Sequence, residues 1–444
     1  MNTPIWDFLN EYAEKNASRF HMPGHKGVSY LGCEGIDITE IGGADVLYSP
    51  SGIIAESEEN ATRLFSTRHT YYSTEGSTLA IKAMLALVKQ RSPRTEKTAV
   101  LAARNAHKSF LYACALLDMD VKWLYPTVFE HLCSCKIGAK ELSAALDACQ
   151  TLPCAVYITS PDYLGNTLDI AALSRVCRER GIPLLVDNAH GAYLAFTEPS
   201  LHPIALGADM CADSAHKTLP VLTGGAYLHI AKGFDVSDKE ARAALSLFAS
   251  SSPSYLTLAS LDLCNARLAS DYPDALRAHI EKTKALKARL AALGFPTEAS
   301  EPLKLVLSRA SCGYGGEELA RLLREGGIEP EFFDRDTLVL MTSPQNSDGD
   351  LERLLEVLGC LPKRAPERLS LPRPEVLPSR LCAREAIFSP SKTVPTVEAV
   401  GRICASPTVA CPPAVPIVMS GEEIKERAAS LMLYYGIEEI EVVK

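Results

Sequence analysis

Short apolar runs, each followed by a longer stretch with helical periodicity, recur through much of the chain, and this alternation constrains the fold more than any other feature. Val100-Leu101, Val121-Lys122-Trp123-Leu124, Ala155-Val156-Tyr157-Ile158-Thr159-Ser160 and Leu184-Leu185-Val186-Asp187 read as strands, with helices expected over 79–88, from Ser109 to Leu117, and over 139–149 and 170–180. The last of these ends at Gly181 with Pro183 just beyond, the usual stop chemistry of a helix. Strands alternating with helices mean βα units and a largely parallel sheet, buried on both faces. Gly224-Gly225-Ala226-Tyr227-Leu228-His229-Ile230 is expected as an antiparallel strand of the same sheet.

A chain of 444 residues exceeds one ordinary core, so several domains are expected. Residues 1–50 read as an N-terminal arm, beginning with a helix whose apolar face is Ile5, Trp6, Phe8, Leu9 and Tyr12, and 51–265 as a large α/β domain. The helix-strand pattern then changes: helix 268–293, strand 303–307, helix 317–325, strand 337–342 and helix 348–358 make a small α/β domain over 266–360. The stretch 361–378 carries five Pro and reads as a linker, which leaves a third unit over 379–444.

With a net charge of −9, neither nucleic acid nor an anionic membrane is expected as a partner. No apolar run approaches the roughly 20 residues of a membrane helix, which points to a small-molecule substrate. The 14 Cys are scattered through apolar runs and no signal peptide opens the chain, so reduced thiols in a cytoplasm are expected instead of a disulfide scaffold.

In open α/β sheets ligands gather beyond the carboxyl ends of the strands. His107, Ser160, Asp187, His190, Ser214, His216 and Lys217 all fall at or just after such ends. Lys217, among Ala, Ser, Thr and Leu, is an amine that burial would keep neutral and nucleophilic. Asp187 closes an apolar run, where a carboxylate is expensive without a cation beside it. Gly76, Ser77 and Thr78 open a helix and offer N–H and hydroxyl groups to a phosphate, or simply cap that helix. Together these groups suit pyridoxal phosphate (PLP), which needs an imine-forming amine, an anion at its ring nitrogen, a phosphate cup and a residue stacked on the ring. His107 is the candidate for stacking, or caps its own helix; Ser214 and His216 complete the cup. A metal held by Asp187 and His190 is the competing reading, with no third ligand in sight. Phe20-His21-Met22-Pro23-Gly24-His25-Lys26-Gly27 is a shaped loop. Nucleotide-binding Gly-rich fingerprints and the Gly-x-Ser-x-Gly nucleophile elbow are absent.

That loop, Asp187-Asn188-Ala189-His190-Gly191-Ala192 and Ser214-Ala215-His216-Lys217-Thr218-Leu219-Pro220 resemble the Orn/Lys/Arg decarboxylases, fold-type I PLP enzymes. The likeness continues through Arg384-Glu385-Ala386, Val394-Pro395, Pro412-Pro413-Ala414-Val415-Pro416 and Gly421-Glu422, which are similar to that family's C-terminal α+β domain. The resemblance implies Lys217 as the Schiff-base lysine, Asp187 as the partner of the pyridine nitrogen, His107 as the stacking residue and His190 as a neighbour of the ring. It also implies Ser77, Thr78, Ser214 and His216 as phosphate contacts, and a homodimer with active sites at the subunit interface. The chain resembles the short form, without an N-terminal wing domain. Asn188 stands where the family commonly has Glu, Tyr193 where a second His is frequent, Ala215 where Thr is frequent and Glu75 where Asn is usual. The implied reaction is decarboxylation of lysine, ornithine or arginine to the amine, feeding polyamine synthesis. Its alternatives are transamination or elimination on the same frame, or a PLP-binding homologue without turnover.

Overall fold

The computed structural model describes residues 1–92, 98–126, 131–367, 375–406 and 416–444. Pro412-Pro413-Ala414-Val415 and residues 368–374 of the expected linker lie outside the described residues. The first strands in chain order are β1 (His69–Ser73), β2 (Ala99–Ala103), β3 (Asp120–Leu124), β4 (Val156–Thr159), β5 (Leu184–Asp187), β6 (Met210–Asp213) and β7 (Ala226–Ile230). Two compact units form, one from Met1–Val100, Leu146–Ile158 and Asp169–Pro273, the other from Leu101–Ala145, Thr159–Leu168 and Asp274–Lys444.

In the first unit the strands lie in the order β1-β7-β6-β5-β4. β5 and β6 pair in parallel, with Asp187 opposite Ala212, whereas β7 runs antiparallel to both β1 and β6, as its sequence suggested. Every residue of β5 and β6 is buried, which is why these strands are apolar up to their terminal Asp and do not alternate. The helix Gly76–Arg91 packs over β1, β6 and β7. Leu79, Ala80, Ile81 and the run Ala83 to Val88 are all buried, so it has no polar stripe for most of its length. The helix expected over 268–293 begins at Tyr272 and runs to Leu293, after the separate helix Tyr255–Leu268. Pro273 sits in its first turn, where proline is tolerated.

The helix Pro4–Glu14 has no side-chain cap of its own. Asp262, from the helix Tyr255–Leu268, supplies one: its Oδ2 accepts the N–H groups of Ile5 at 2.9 Å and Trp6 at 3.0 Å, and its Oδ1 accepts from Ser57 Oγ at 2.5 Å. Burial raises the Asp262 carboxyl to about 6, against the lowering effect of Ser57 and the two N–H groups. Since the folded value lies above the usual ~3.9 of an unfolded Asp, the stability due to this group is complete below pH ~4 and is lost as pH rises through about 6, a change of about 3 kcal/mol. Asp262→Asn keeps an acceptor for the helix and cannot ionise. Urea titrations are expected to show the variant gaining on the parent between pH 4 and 7. A pH-independent difference would refute this account.

In the second unit β3 lies beside β2, and Arg104 N–H donates to Leu124 O at 3.0 Å. A small antiparallel sheet in the order β8-β10-β9 follows, from β8 (Lys304–Ser308), β9 (Phe332–Phe333) and β10 (Thr337–Met341). The helices Gly316–Glu325 and Asp348–Gly359 pack with it around Leu305, Leu307, Leu319, Leu323, Leu338 and Leu355. The C-terminal part pairs β11 (Ser391–Pro395) with β12 (Glu439–Val443) beside the helix Glu426–Tyr434, closing on Val394, Ile424, Met432, Ile440 and Val442.

Candidate functional site

At the carboxyl ends of β5 and β6 the two segments turn apart, and of the polar groups singled out from the sequence Asp187, His190, Ser214, His216 and Lys217 sit at or just after these ends. Asp213 is followed by Ser214 and a single helical turn, Ala215–Thr218, that carries His216 and Lys217. Asp187 is followed by Asn188, Ala189 and His190, and across the gap Lys217 Nζ lies 3.2 Å from His190 Nε2. Lys217 is exposed, whereas its small neighbours suggested an amine shielded by its own segment; it is Ala215 and Thr218 that turn inward.

Asp187 is 2% exposed. Tyr157 OH donates to its Oδ2 at 3.0 Å and Ala189 N–H to its Oδ1 at 3.2 Å. Both donors are neutral, and no cationic side chain among the described residues pairs with this carboxylate. A buried anion held only by neutral donors still calls for a positive group, which a protonated pyridine ring supplies, so the donor set fits PLP.

The expected phosphate cup is partly assembled. Ser214 Oγ donates to Ser77 Oγ at 2.8 Å, which joins the turn after β6 to the start of the helix Gly76–Arg91. Gly76 has φ +70 and gives its N–H to Gly224 O at 2.7 Å. Gly224 has φ +96, and a Cβ there would stand 2.7 Å from Thr74 O, so the two loops meet only because this position has no side chain. Ser77 and Thr78 follow Gly76 in the first turn, where N–H groups and the helix dipole favour an anion. Glu75 points away from that turn, its Oε1 accepting Ser250 N–H at 2.7 Å, which removes the repulsion a carboxylate beside a phosphate would bring. His216 gives Nδ1–H to Gly225 O at 2.9 Å, so only Nε2 is left to face a ligand, and it donates only when the ring is protonated.

His107 belongs to the second unit. It is exposed and is the N-cap of the helix Lys108–Leu116, its Nδ1 accepting Ser109 N–H at 3.2 Å. The capping reading is therefore realised.

Sequence reasoning missed Tyr157 and a buried network beneath the site. Asp213 Oδ1 accepts Asn188 Nδ2–H at 2.7 Å, and its Oδ2 accepts from His202 Nε2 at 2.9 Å and His229 Nε2 at 3.2 Å. Burial opposes ionisation of Asp213, but the two imidazoles outweigh it and hold the carboxyl well below the usual range. Burial also pushes His229 below its ordinary value, with Asp213 opposing. His202, Cys211 and Asp213 stand close enough to hold a metal ion. However, His202 Nδ1 accepts Ile204 N–H, so the ring's proton is on Nε2, aimed at the carboxylate where a metal would have to bind. Asp213 closes an apolar strand just as Asp187 does, and that was the available signal; nothing in sequence marks a Tyr inside β4 as a partner of β5.

A family model described as "Orn/Lys/Arg decarboxylase, major domain" matches residues 3–293, and one described as "Orn/Lys/Arg decarboxylase, C-terminal domain" matches 364–440. An arginine decarboxylase of Bacillus subtilis (strain 168) is 28% identical over 96% of this chain and 92% of that protein. An arginine decarboxylase of Halalkalibacterium halodurans is 29% identical over 96% and 91%. The solved lysine decarboxylase LdcF of Francisella novicida superposes with a TM-score of 0.80 at 17% identity, covering 100% of this chain and 81% of that one. The constitutive lysine decarboxylase of E. coli does so with 0.79, also at 17%, covering 100% and 82%. At these identities the solved structures speak for the fold, which is that of fold-type I PLP enzymes. Among the described residues no helix is long and apolar enough to cross a membrane. The family model spans well over half the sequence and includes the segments carrying Asp187, His190 and Lys217: this chain belongs to the Orn/Lys/Arg decarboxylase family.

Proposed function

We propose that the protein is a PLP-dependent decarboxylase of a basic amino acid, with Lys217 binding the cofactor covalently. The observation that carries this reading is the amine of Lys217 held 3.2 Å from His190 on the turn that leaves the buried Asp187. When bound, PLP supplies an electron-withdrawing ring that stabilises charge on the substrate α-carbon after CO2 is lost. The chain supplies the rest. Asp187, its carboxylate held in place by Tyr157 and Ala189 N–H, would keep a proton on the ring nitrogen. Lys217 Nζ, hydrogen-bonded to His190, is placed to return a proton to the α-carbon. Ser77, Thr78, Ser214 and His216 would hold the phosphate, and stacking on the ring is the role that the family resemblance assigns to His107. His190 accepts from or donates to the amine according to its tautomer.

Several relatives that match nearly end to end are named arginine decarboxylases, which puts arginine ahead of lysine and ornithine as substrate. A homodimer is part of the proposal. Phe20 is 97% exposed and Leu31 88% in the arm, exposed apolar side chains that a second copy would cover. The test is release of labelled CO2 from arginine, lysine and ornithine by the PLP-loaded protein, with its mass in solution measured on the same sample. Arginine is expected to be turned over fastest, by a dimer. An intact cofactor band with no CO2 from any of the three would overturn decarboxylation, and an active monomer would overturn the dimer.

A further inference from the structure

The last backbone rung of the β5–β6 ladder joins Asn188 N–H to Ala212 O at 2.9 Å. One residue further on, the pairing continues in side chains, with Asn188 Nδ2–H on Asp213 Oδ1 at 2.7 Å. Beyond that bond the chains separate, one toward His190 and the other toward Ser214 and Lys217. Asn188 and Asp213 are both completely buried, so water cannot replace either partner.

We propose that Asn188 and Asp213 form a side-chain rung that fixes Asp187 and Lys217 at the separation needed to hold one cofactor between them, making both positioning residues for the decarboxylase proposed above. Three features of the network make the rung directional. His202 and His229 both donate to Oδ2, which leaves Oδ1 for Asn188. His229 is itself held through Nδ1 by Thr70 Oγ1 at 2.9 Å. Cys211 Sγ, 3.3 Å from Oδ1, is the other neighbour of that oxygen. A carboxylate at position 188 would face the carboxylate of Asp213. Asn supplies the donor that this chain's own partner requires.

The arrangement predicts a reciprocal rescue. Asn188→Asp sets two carboxylates against each other, and Asp213→Asn sets two amides. The double variant restores one donor and one acceptor, with the amide oxygen introduced at position 213 still receiving both imidazoles. The probe is PLP itself, titrated at pH 8 into the apo chain by absorbance, with the wavelength and pH-dependence of the bound band recorded beside CO2 release. Asn188→Asp is expected to bind PLP at least ~30-fold more weakly, the effect of leaving a buried charged group unsatisfied, and to shift the band, whereas Asp213→Asn, whose amide can still pair with that of Asn188, is expected to lose less. The double variant is expected to return to within ~5-fold of the parent and to restore the band, as coupled partners do in a double-mutant cycle. Singles that bind PLP like the parent, or a double no better than the worse single, would overturn the rung while leaving the enzyme assignment intact. A parent chain that binds no PLP would overturn the assignment and the rung with it.

Discussion

Lys217→Ala is expected to abolish the absorbance of bound PLP near ~420 nm and to lower CO2 release by at least ~10³-fold. Two separate contributions are lost together. One is the covalent attachment of the cofactor, which only an amine of this reach provides. The other is the proton returned to the α-carbon, and a positioned acid or base alone contributes roughly 10²–10⁴-fold. Lys217→Arg separates charge from nucleophilicity, because a guanidinium stays protonated at any working pH and cannot condense with an aldehyde. It is expected to be as inactive as the alanine variant although the positive charge beside His190 is kept. PLP should still bind to both variants, more weakly, since Asp187 and the Ser77–Ser214 pair are untouched. A 420 nm band that survives in Lys217→Ala would mean that another amine holds the cofactor, and the site would have to be rebuilt around it.

Much of this site was legible because its residues obey a local rule. β5 and β6 are short, apolar and buried on both faces, so a charged residue at their ends is conspicuous, and the parallel arrangement places all such ends on one edge of the sheet. The antiparallel β7 was legible for the same reason. What escaped depends on which strand lies beside which. Tyr157 reaches Asp187 because β4 is the neighbour of β5, and His202, on a loop, meets Asp213 only after that loop folds back. The exposure of Lys217 also escaped, because the run of small residues around it says how closely the backbone packs and nothing about where the long side chain goes. The helix Asp238–Ser246 was missed although Ser237 and Glu240 form a capping box, a signature present in the sequence. Arg104 carried the same local sign, a charged residue directly after an apolar strand, but nothing in sequence identifies its partner, which lies far along the chain.

That partner is Glu422, and Glu422→Ala is expected to destabilise the second unit by about 3–5 kcal/mol, the usual result of removing half of a buried ion pair. Both side chains are almost wholly buried, and the pair is bidentate, with Nη1 to Oε1 at 2.6 Å and Nη2 to Oε2 at 2.7 Å. Glu422 Oε2 also accepts Met419 N–H at 2.8 Å. The guanidinium carbon lies 5.2 Å from the ring centre of Trp123 and 5.3 Å from that of Tyr125, so the stranded cation would remain enclosed by aromatic side chains where water does not reach. Burial works against the charge on Arg104, and Glu422 more than compensates, so that its guanidinium is held even more firmly protonated than usual. It cannot escape the penalty by losing its proton. Replacing both residues, Arg104→Met with Glu422→Leu, removes the stranded charge and is expected to recover most of the loss, to within about 1 kcal/mol of the parent. Urea unfolding followed by tryptophan fluorescence reads this locally, since Trp123 packs on the guanidinium. The consequence for function follows from chain order: Arg104 immediately precedes Asn105, Ala106 and His107, so the C-terminal segment anchors the turn that presents the proposed stacking residue. A single variant as stable as the parent would show that the pair contributes little, and that the C-terminal segment holds this turn by its apolar contacts alone.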